Sequence, residues 1–155
     1  MTDTVSPETR SRIMSRIRSK DTTPEMVVRS ILSRAGWRYR LHRRDLPGTP
    51  DVVIPSVKAV VDVRGCYFHA CRCRKGKVPA TNTQFWADKF RRNVERDRRS
   101  VRALRRLGWH VVVVWECQTK DADGLAKTLL RRIIPNRADK RRLLQLQTLR
   151  GARAT

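Results

Sequence analysis

Two aspartates and one histidine carry the first signs of chemistry. Asp51 follows Pro50 and opens the apolar run Val52-Val53-Ile54, and Asp62 stands near the end of the next run, Ala59-Val60-Val61. Adjacent strands would bring both carboxylates to one point. Such a pair suits Mg²⁺, a hard cation that takes oxygen ligands and keeps several waters. A cation there would polarise a phosphodiester and acidify a bound water. Taken alone, Pro-Asp is also a common turn dipeptide, and Asp51 then an ordinary strand-start residue. His69 lies a few positions on, and an imidazole titrates in the range a general base needs near neutrality. Arg64 does not give up its proton and fits phosphate contact instead.

Cys66, Cys71 and Cys73 are closely spaced, and Cys117 directly follows a β-branched run. Four sulfurs around Zn²⁺ make a closed, structural tetrahedral site. The same four also suit an iron–sulfur cluster or unrelated buried thiols. No run of about 18 apolar residues is present, and the N-terminal residues lack the apolar region of a secretion signal. The expectation is a cytoplasmic chain, with no membrane partner, where disulfides are rare and metal ligation is the leading use of cysteine. Four thiolates complete a shell without His69, which leaves the imidazole for proton transfer. His42 and His110 read as surface or satisfied core positions. Tyr67, Phe68 and Trp86 either fill a core or wedge between bases, and Phe85 reads as core.

These residues need elements to hold them. Ser6-Pro7-Glu8 is a helix-start signal for a short basic helix with Ile13, Met14 and Ile17 on one stripe. A second helix opens at Thr22 or Thr23, before Pro24 and Glu25, and ends at Gly36. Trp37, Tyr39 and Leu41 alternate with arginines as in a half-buried strand, and two further strands cover 51–54 and 59–63. Residues 65–82 read as a loop ordered by something other than a core. A long helix runs from a Thr83 cap to about Leu107, with nine basic and two acidic residues between Lys89 and Arg106. The Val111–Val114 run predicts a strand buried on both faces. A last helix spans about 123–134 and stops at Pro135. The order α, α, β, β, β, α, β, α predicts an α/β fold with a mixed central sheet flanked by helices. Residues 1–135 are read as one domain and 136–155 as a basic tail.

The partner follows from charge: 36 Lys and Arg against 14 Asp and Glu give a net +22. With 39% apolar residues the chain has a core and is not a disordered polycation. Nucleic acid is the expected partner, bound in a salt-sensitive way.

Pro50-Asp51, Gly65-Cys66-Tyr67-Phe68-His69, Pro79-Ala80-Thr81-Asn82 with Phe85-Trp86, Asn93-Val94-Glu95-Arg96-Asp97, and Leu107-Gly108-Trp109 with Val114-Trp115-Glu116-Cys117 together resemble the very short patch repair endonucleases, over roughly residues 9 to 134. The resemblance implies a restriction-endonuclease-like fold, a structural zinc, and Mg²⁺-dependent nicking of duplex DNA 5′ of the thymine in a T·G mismatch. It implies Asp51 as metal-binding aspartate and His69 as catalytic histidine, supported by Asp97 and Glu25. Cys66, Cys71, Cys73 and Cys117 would hold the zinc, Cys71 standing where some relatives have histidine. Tyr67, Phe68 and Trp86 would form a wedge entering the DNA, with Met14 and Ile17 reaching the opposite groove. Lys89, Arg91, Arg92, Asn93, Arg96 and Arg99 join Arg64 as DNA-contact candidates. Where family members can carry threonine and histidine, this chain has Val63 and Arg64. A Mg²⁺ ligand supplied by the backbone carbonyl of Val63 survives that change, and Asp62 would add a second carboxylate. A monomeric bacterial nucleoid enzyme, with repair-pathway proteins as further partners, is the expectation. The alternatives are a restriction-type endonuclease without mismatch preference and a non-catalytic zinc-stabilised DNA-binding module.

Overall fold

The computed structural model describes residues 9, 12, 20–69, 71–73 and 82–134. The stripe with Met14 and Ile17, the Pro79-Ala80-Thr81 motif and the tail after Pro135 lie outside them.

Helix α1 (Thr23–Arg34) starts where sequence places it. Glu25 reaches back so that its carboxylate accepts from Thr22 N–H at 3.4 Å and Thr22 Oγ1 at 2.8 Å, a capping arrangement that satisfies the first turn. It ends at Gly36, whose φ of 75° costs a residue without Cβ nothing, and Trp37 N–H closes back on the Leu32 carbonyl at 2.9 Å. Strands β1 (Arg40–Leu41), β2 (Val52–Ile54), β3 (Ala59–Arg64) and β4 (His110–Trp115) form one sheet in the order β1-β2-β3-β4. The pairs β1–β2 and β2–β3 are antiparallel. Strand β4 lies parallel to β3, with Val63 opposite Val114. Helix α2 (Thr83–Arg106) makes the crossover a parallel pair requires. Helix α3 (Ala122–Ile133) follows β4, capped by Asp121, whose Oδ1 accepts from Gly124 N–H at 2.9 Å.

Alternating strand residues feed two cores. Val52, Ile54, Ala59, Val61, Val112 and Val114 pack with Val28, Ile31 and Leu32 of α1 and with Leu125, Leu129 and Ile133 of α3. Val53, Val60 and Val111 face the other way, against Leu104 of α2 and Leu46. Helices on both faces explain why β2–β4 are runs of valine rather than amphipathic strands. The α/β expectation of a mixed sheet flanked by helices is borne out.

Three local expectations are corrected. The strand expected from Trp37 shrinks to Arg40–Leu41, because Trp37 N–H is spent on the end of α1 and His42, at φ 45°, turns the chain out of the ladder. The cap of α2 is Asn82, at φ 51°, with Thr83 as first helical residue. Phe85, expected in the core, is 54% exposed, because the apolar stripe of α2 passes through Phe90 and Leu104 instead. Among the described residues no helix is long and apolar enough to cross a membrane.

Candidate active site

The end of the β2–β3 pair brings the acidic residues together. Asp51 sits just before β2, and its Oδ2 accepts from Val63 N–H of β3 at 2.7 Å. Burial pushes the Asp51 carboxyl up to about 7; the Val63 N–H works against that, and the neighbouring charges of Asp62 and Glu25 add to it. Asp62 lines the same cleft as Asp51 and is held by Arg64. Its Oδ2 accepts from Arg64 Nε and Nη2 at 2.9 and 2.6 Å.

His69 lies on the turn after β3, and its Nδ1 stands 2.5 Å from Asp97 Oδ2 on α2. Burial raises the Asp97 carboxyl, but the hydrogen bond and charge of His69, with the charges of Arg64 and Arg96, outweigh it and leave Asp97 below the usual carboxylate range. An ionised carboxylate only accepts, so Nδ1 carries the hydrogen, and Nε2 is the ring nitrogen that can exchange a proton. Arg64 Nη1 is 3.7 Å from the same Asp97 oxygen, so the guanidinium spans Asp62 and Asp97.

Two clefts, of about 590 and 810 Å³, meet at Asp51, Val63 and His69. The first runs under α2 past Arg96 and Asp97. The second is bounded by the start of α1, by Glu25, Tyr67 and Phe68, and by Glu116.

Glu25 is 4% exposed. Beyond the cap at Thr22 it accepts from Asp21 N–H at 3.1 Å and from Arg29 Nη2 at 2.9 Å. Arg29 Nη1 also donates to Asp21, and Nη2 lies 3.1 Å from His42 Nε2. The other ring nitrogen of His42 is 4.0 Å from Asp51 Oδ1. The guanidinium therefore occupies the acidic group of Asp21, Glu25 and His42. Sequence reading set His42 aside and overlooked Arg29. The i, i+4 spacing of Glu25 and Arg29 on a helix was a signal for the second, but nothing in the chain pointed to His42.

Around the centre, Tyr67 is the hub of an aromatic cluster, with ring centroids 5.0 Å from Phe68 and 5.5 Å from both Trp86 and Phe90. Phe90 is buried and anchors it. Lys89 Nζ lies 5.7, 5.9 and 5.2 Å from the ring centroids of Phe68, Phe85 and Trp86. Asn93 Nδ2 donates to the Phe68 carbonyl at 3.1 Å. Arg91, Arg92, Arg96 and Arg99 are exposed along α2; Arg91 is paired with Asp88.

The sulfur atoms of Cys66, Cys71, Cys73 and Cys117 lie within 4.8 Å of one another. Those of Cys71 and Cys117 are 3.8 Å apart, which is about the edge of a tetrahedron with metal–sulfur bonds of ~2.3 Å. Burial pushes the Cys66 thiol well above its ordinary range, with the neighbouring thiols adding to it. A bound cation reverses that preference and holds thiolates. The donor set thus fits a tetrahedral metal. Cys117 N–H and Glu116 Oε2 tie the end of β4 to Cys66, the first by donating to its sulfur at 3.3 Å and the second by accepting from its N–H at 3.1 Å. The cysteine group therefore fastens the segment that carries Tyr67, Phe68 and His69.

A mixed sheet between helices, acidic residues at the end of a strand pair and a histidine–aspartate pair, in a chain of this charge, define the class: an endonuclease on a restriction-endonuclease-like core. The family model described as DNA mismatch endonuclease Vsr matches residues 2–75. The type II nicking enzyme V.XorIIP of Xanthomonas oryzae is 47% identical over 129 residues, covering 83% of this chain and 95% of the relative. The DNA mismatch endonuclease Vsr of Escherichia coli is 40% identical over 130 residues, covering 84% and 83%. The chain belongs to the Vsr family of DNA endonucleases, and the resemblance drawn from its motifs is borne out.

Proposed function

We propose that this chain is a Mg²⁺-dependent endonuclease that nicks one strand of duplex DNA 5′ of the thymine in a T·G mismatch. The observation that carries the reading is the meeting of the half-buried Asp51, the His69–Asp97 pair and the aromatic cluster at one junction of two clefts. Asp51, with the backbone carbonyl of Val63, would hold Mg²⁺, which supplies charge for the scissile phosphate. Asp62 is better read as the holder of Arg64, which faces the phosphate as a fixed cation beside Asp97. His69 takes a proton from water at Nε2, and Asp97 holds Nδ1–H so that the ring points one way. Glu25, fixed by Arg29, supplies negative charge beside Asp51. Tyr67, Phe68 and Trp86 enter the duplex at a base step that a wobble pair has weakened. Arg91, Arg92, Arg96 and Arg99 line the backbone.

Mapping the cut in Mg²⁺ on a duplex with one T·G pair tests this. One cut directly 5′ of the mismatched thymine is expected. Cuts at matching places in both strands would support a restriction-type endonuclease, and binding without scission would support a DNA-binding module.

The Asp51 shift sets a pH dependence. Its folded pKa, about 7, is raised above the ordinary 3.8, so between these values the folded state binds the extra proton. Its contribution to stability therefore falls as pH rises from about 4 to 7. Mg²⁺ must displace that proton at low pH, so affinity is expected to be about tenfold weaker at pH 6 than at pH 8. Calorimetric titration of the DNA-free chain checks it, and equal affinities would mean that Asp51 is already ionised at pH 6.

The four cysteines are proposed to hold structural Zn²⁺. Elemental analysis should return one zinc per chain, and Cys117→Ser should lower both zinc content and melting temperature, since structural zinc contributes on the order of 10 kcal/mol in small domains. Iron in place of zinc, or a melting temperature indifferent to a strong chelator, would overturn the assignment.

A further inference from the structure

Lys89, Asn93 and Asp97 recur every fourth residue on α2, so they form one stripe on that helix. Between them they hold two adjacent residues of the loop after β3, Phe68 and His69. Lys89 Nζ sits 5.7 Å from the centre of the Phe68 ring. Asn93 Nδ2 donates to the Phe68 carbonyl at 3.1 Å. Asp97 Oδ2 is 2.5 Å from Nδ1 of His69. The oxygen held by Asn93 belongs to the peptide that joins the Phe68 and His69 Cα atoms. That peptide is planar, so fixing its carbonyl direction fixes the base of both side chains at once.

We propose that Asn93 is a positioning residue, and that the stripe couples the aromatic wedge to His69: seating Phe68 in a loosened base step is transmitted through the clamped peptide to the imidazole. Mismatch discrimination would then act on the chemical step and not only on binding. The inference rests on the roles proposed above for Phe68 and His69. It gives Asn93 the placing of protein groups beside any DNA contact, because one amide N–H holds the main chain while an amide carries a second N–H and an acceptor oxygen. Without that anchor the peptide can rotate, and a displacement of about 1 Å at a reacting group costs on the order of 10²-fold in rate.

The test is a double-mutant cycle on the full chain with Mg²⁺ and enzyme in excess over a T·G duplex, reading the single-turnover nicking rate. Affinity is measured separately by fluorescence anisotropy without Mg²⁺. Asn93→Ala is expected to lower the rate about 10- to 100-fold while Kd changes by less than about threefold. Phe68→Ala should slow the wild-type chain, and that loss should shrink at least about fivefold in the Asn93→Ala background, as coupled residues require. Asn93→Asp keeps the shape and removes the donor, so it must reproduce the rate loss; it serves as the second variant if the alanine form melts below the assay temperature. An unchanged rate with weakened binding would make Asn93 a plain DNA contact, and independent, multiplying losses would remove the coupling. A wild-type chain that nicks T·G and T·A duplexes alike removes the mismatch reading and leaves the clamp to be judged on the same cycle.

Discussion

Asp51→Asn is expected to lower the nicking rate by at least about 10³-fold, since the cation it would hold contributes several kcal/mol to the transition state. DNA binding should persist, because it draws on the arginines of α2 and the aromatic cluster. The neutral amide can still accept from Val63 N–H, now 2.7 Å from Oδ2. It also removes a charge that burial disfavours up to about pH 7. The variant should therefore melt at the same temperature as the parent or higher at pH 8 without Mg²⁺. That combination separates loss of chemistry from loss of fold. Retained nicking, or Mg²⁺ affinity equal to that of the parent, would refute the role given to Asp51.

His69→Ala should cost about 10²- to 10⁴-fold, the usual contribution of a positioned general base. Here Mg²⁺ affinity should remain that of the parent, in contrast to Asp51→Asn, because His69 holds a proton and not the cation. The alanine also leaves Asp97 without its closest partner, with Arg64 at 3.7 Å and the charge of Arg96 still beside it. A rate within a few-fold of the parent would mean that another group takes the proton, or that the cation alone activates water.

Much of the scaffold was legible because its signals are local. Pro24 with Glu25, Gly36 and Gly108 punctuate helices for reasons of backbone geometry. The valine runs are strands because helices cover both faces. The cysteines were legible as a group because thiols have few other uses at such spacing, although only folding brings Cys117 to the other three.

What was not legible has a physical cause in common: it depends on which of two neighbours a side chain chooses. Asp62 and Arg64 share one face of β3, and two N–H groups of that guanidinium converge on Asp62 Oδ2, a partner that residue types alone do not disclose. His42, expected as a surface or satisfied position, is half-buried beside Glu25 and Arg29, which α1 brings to it and which its own neighbours in sequence do not disclose. Phe85 is turned outward by helix phase: Phe90 holds the inward position, and Phe85 is left at the edge of Trp86 with its centroid 5.5 Å away. That phase follows from where α2 meets the sheet, which no local pattern states.

The central claim is most directly tested by the single-turnover nicking rate on a labelled duplex carrying one T·G pair, beside its T·A control, with and without Mg²⁺. The account predicts a cut on the thymine strand only, at the mismatch and only with Mg²⁺. Equal cutting of the paired control, or cutting that survives removal of divalent cations, would contradict it.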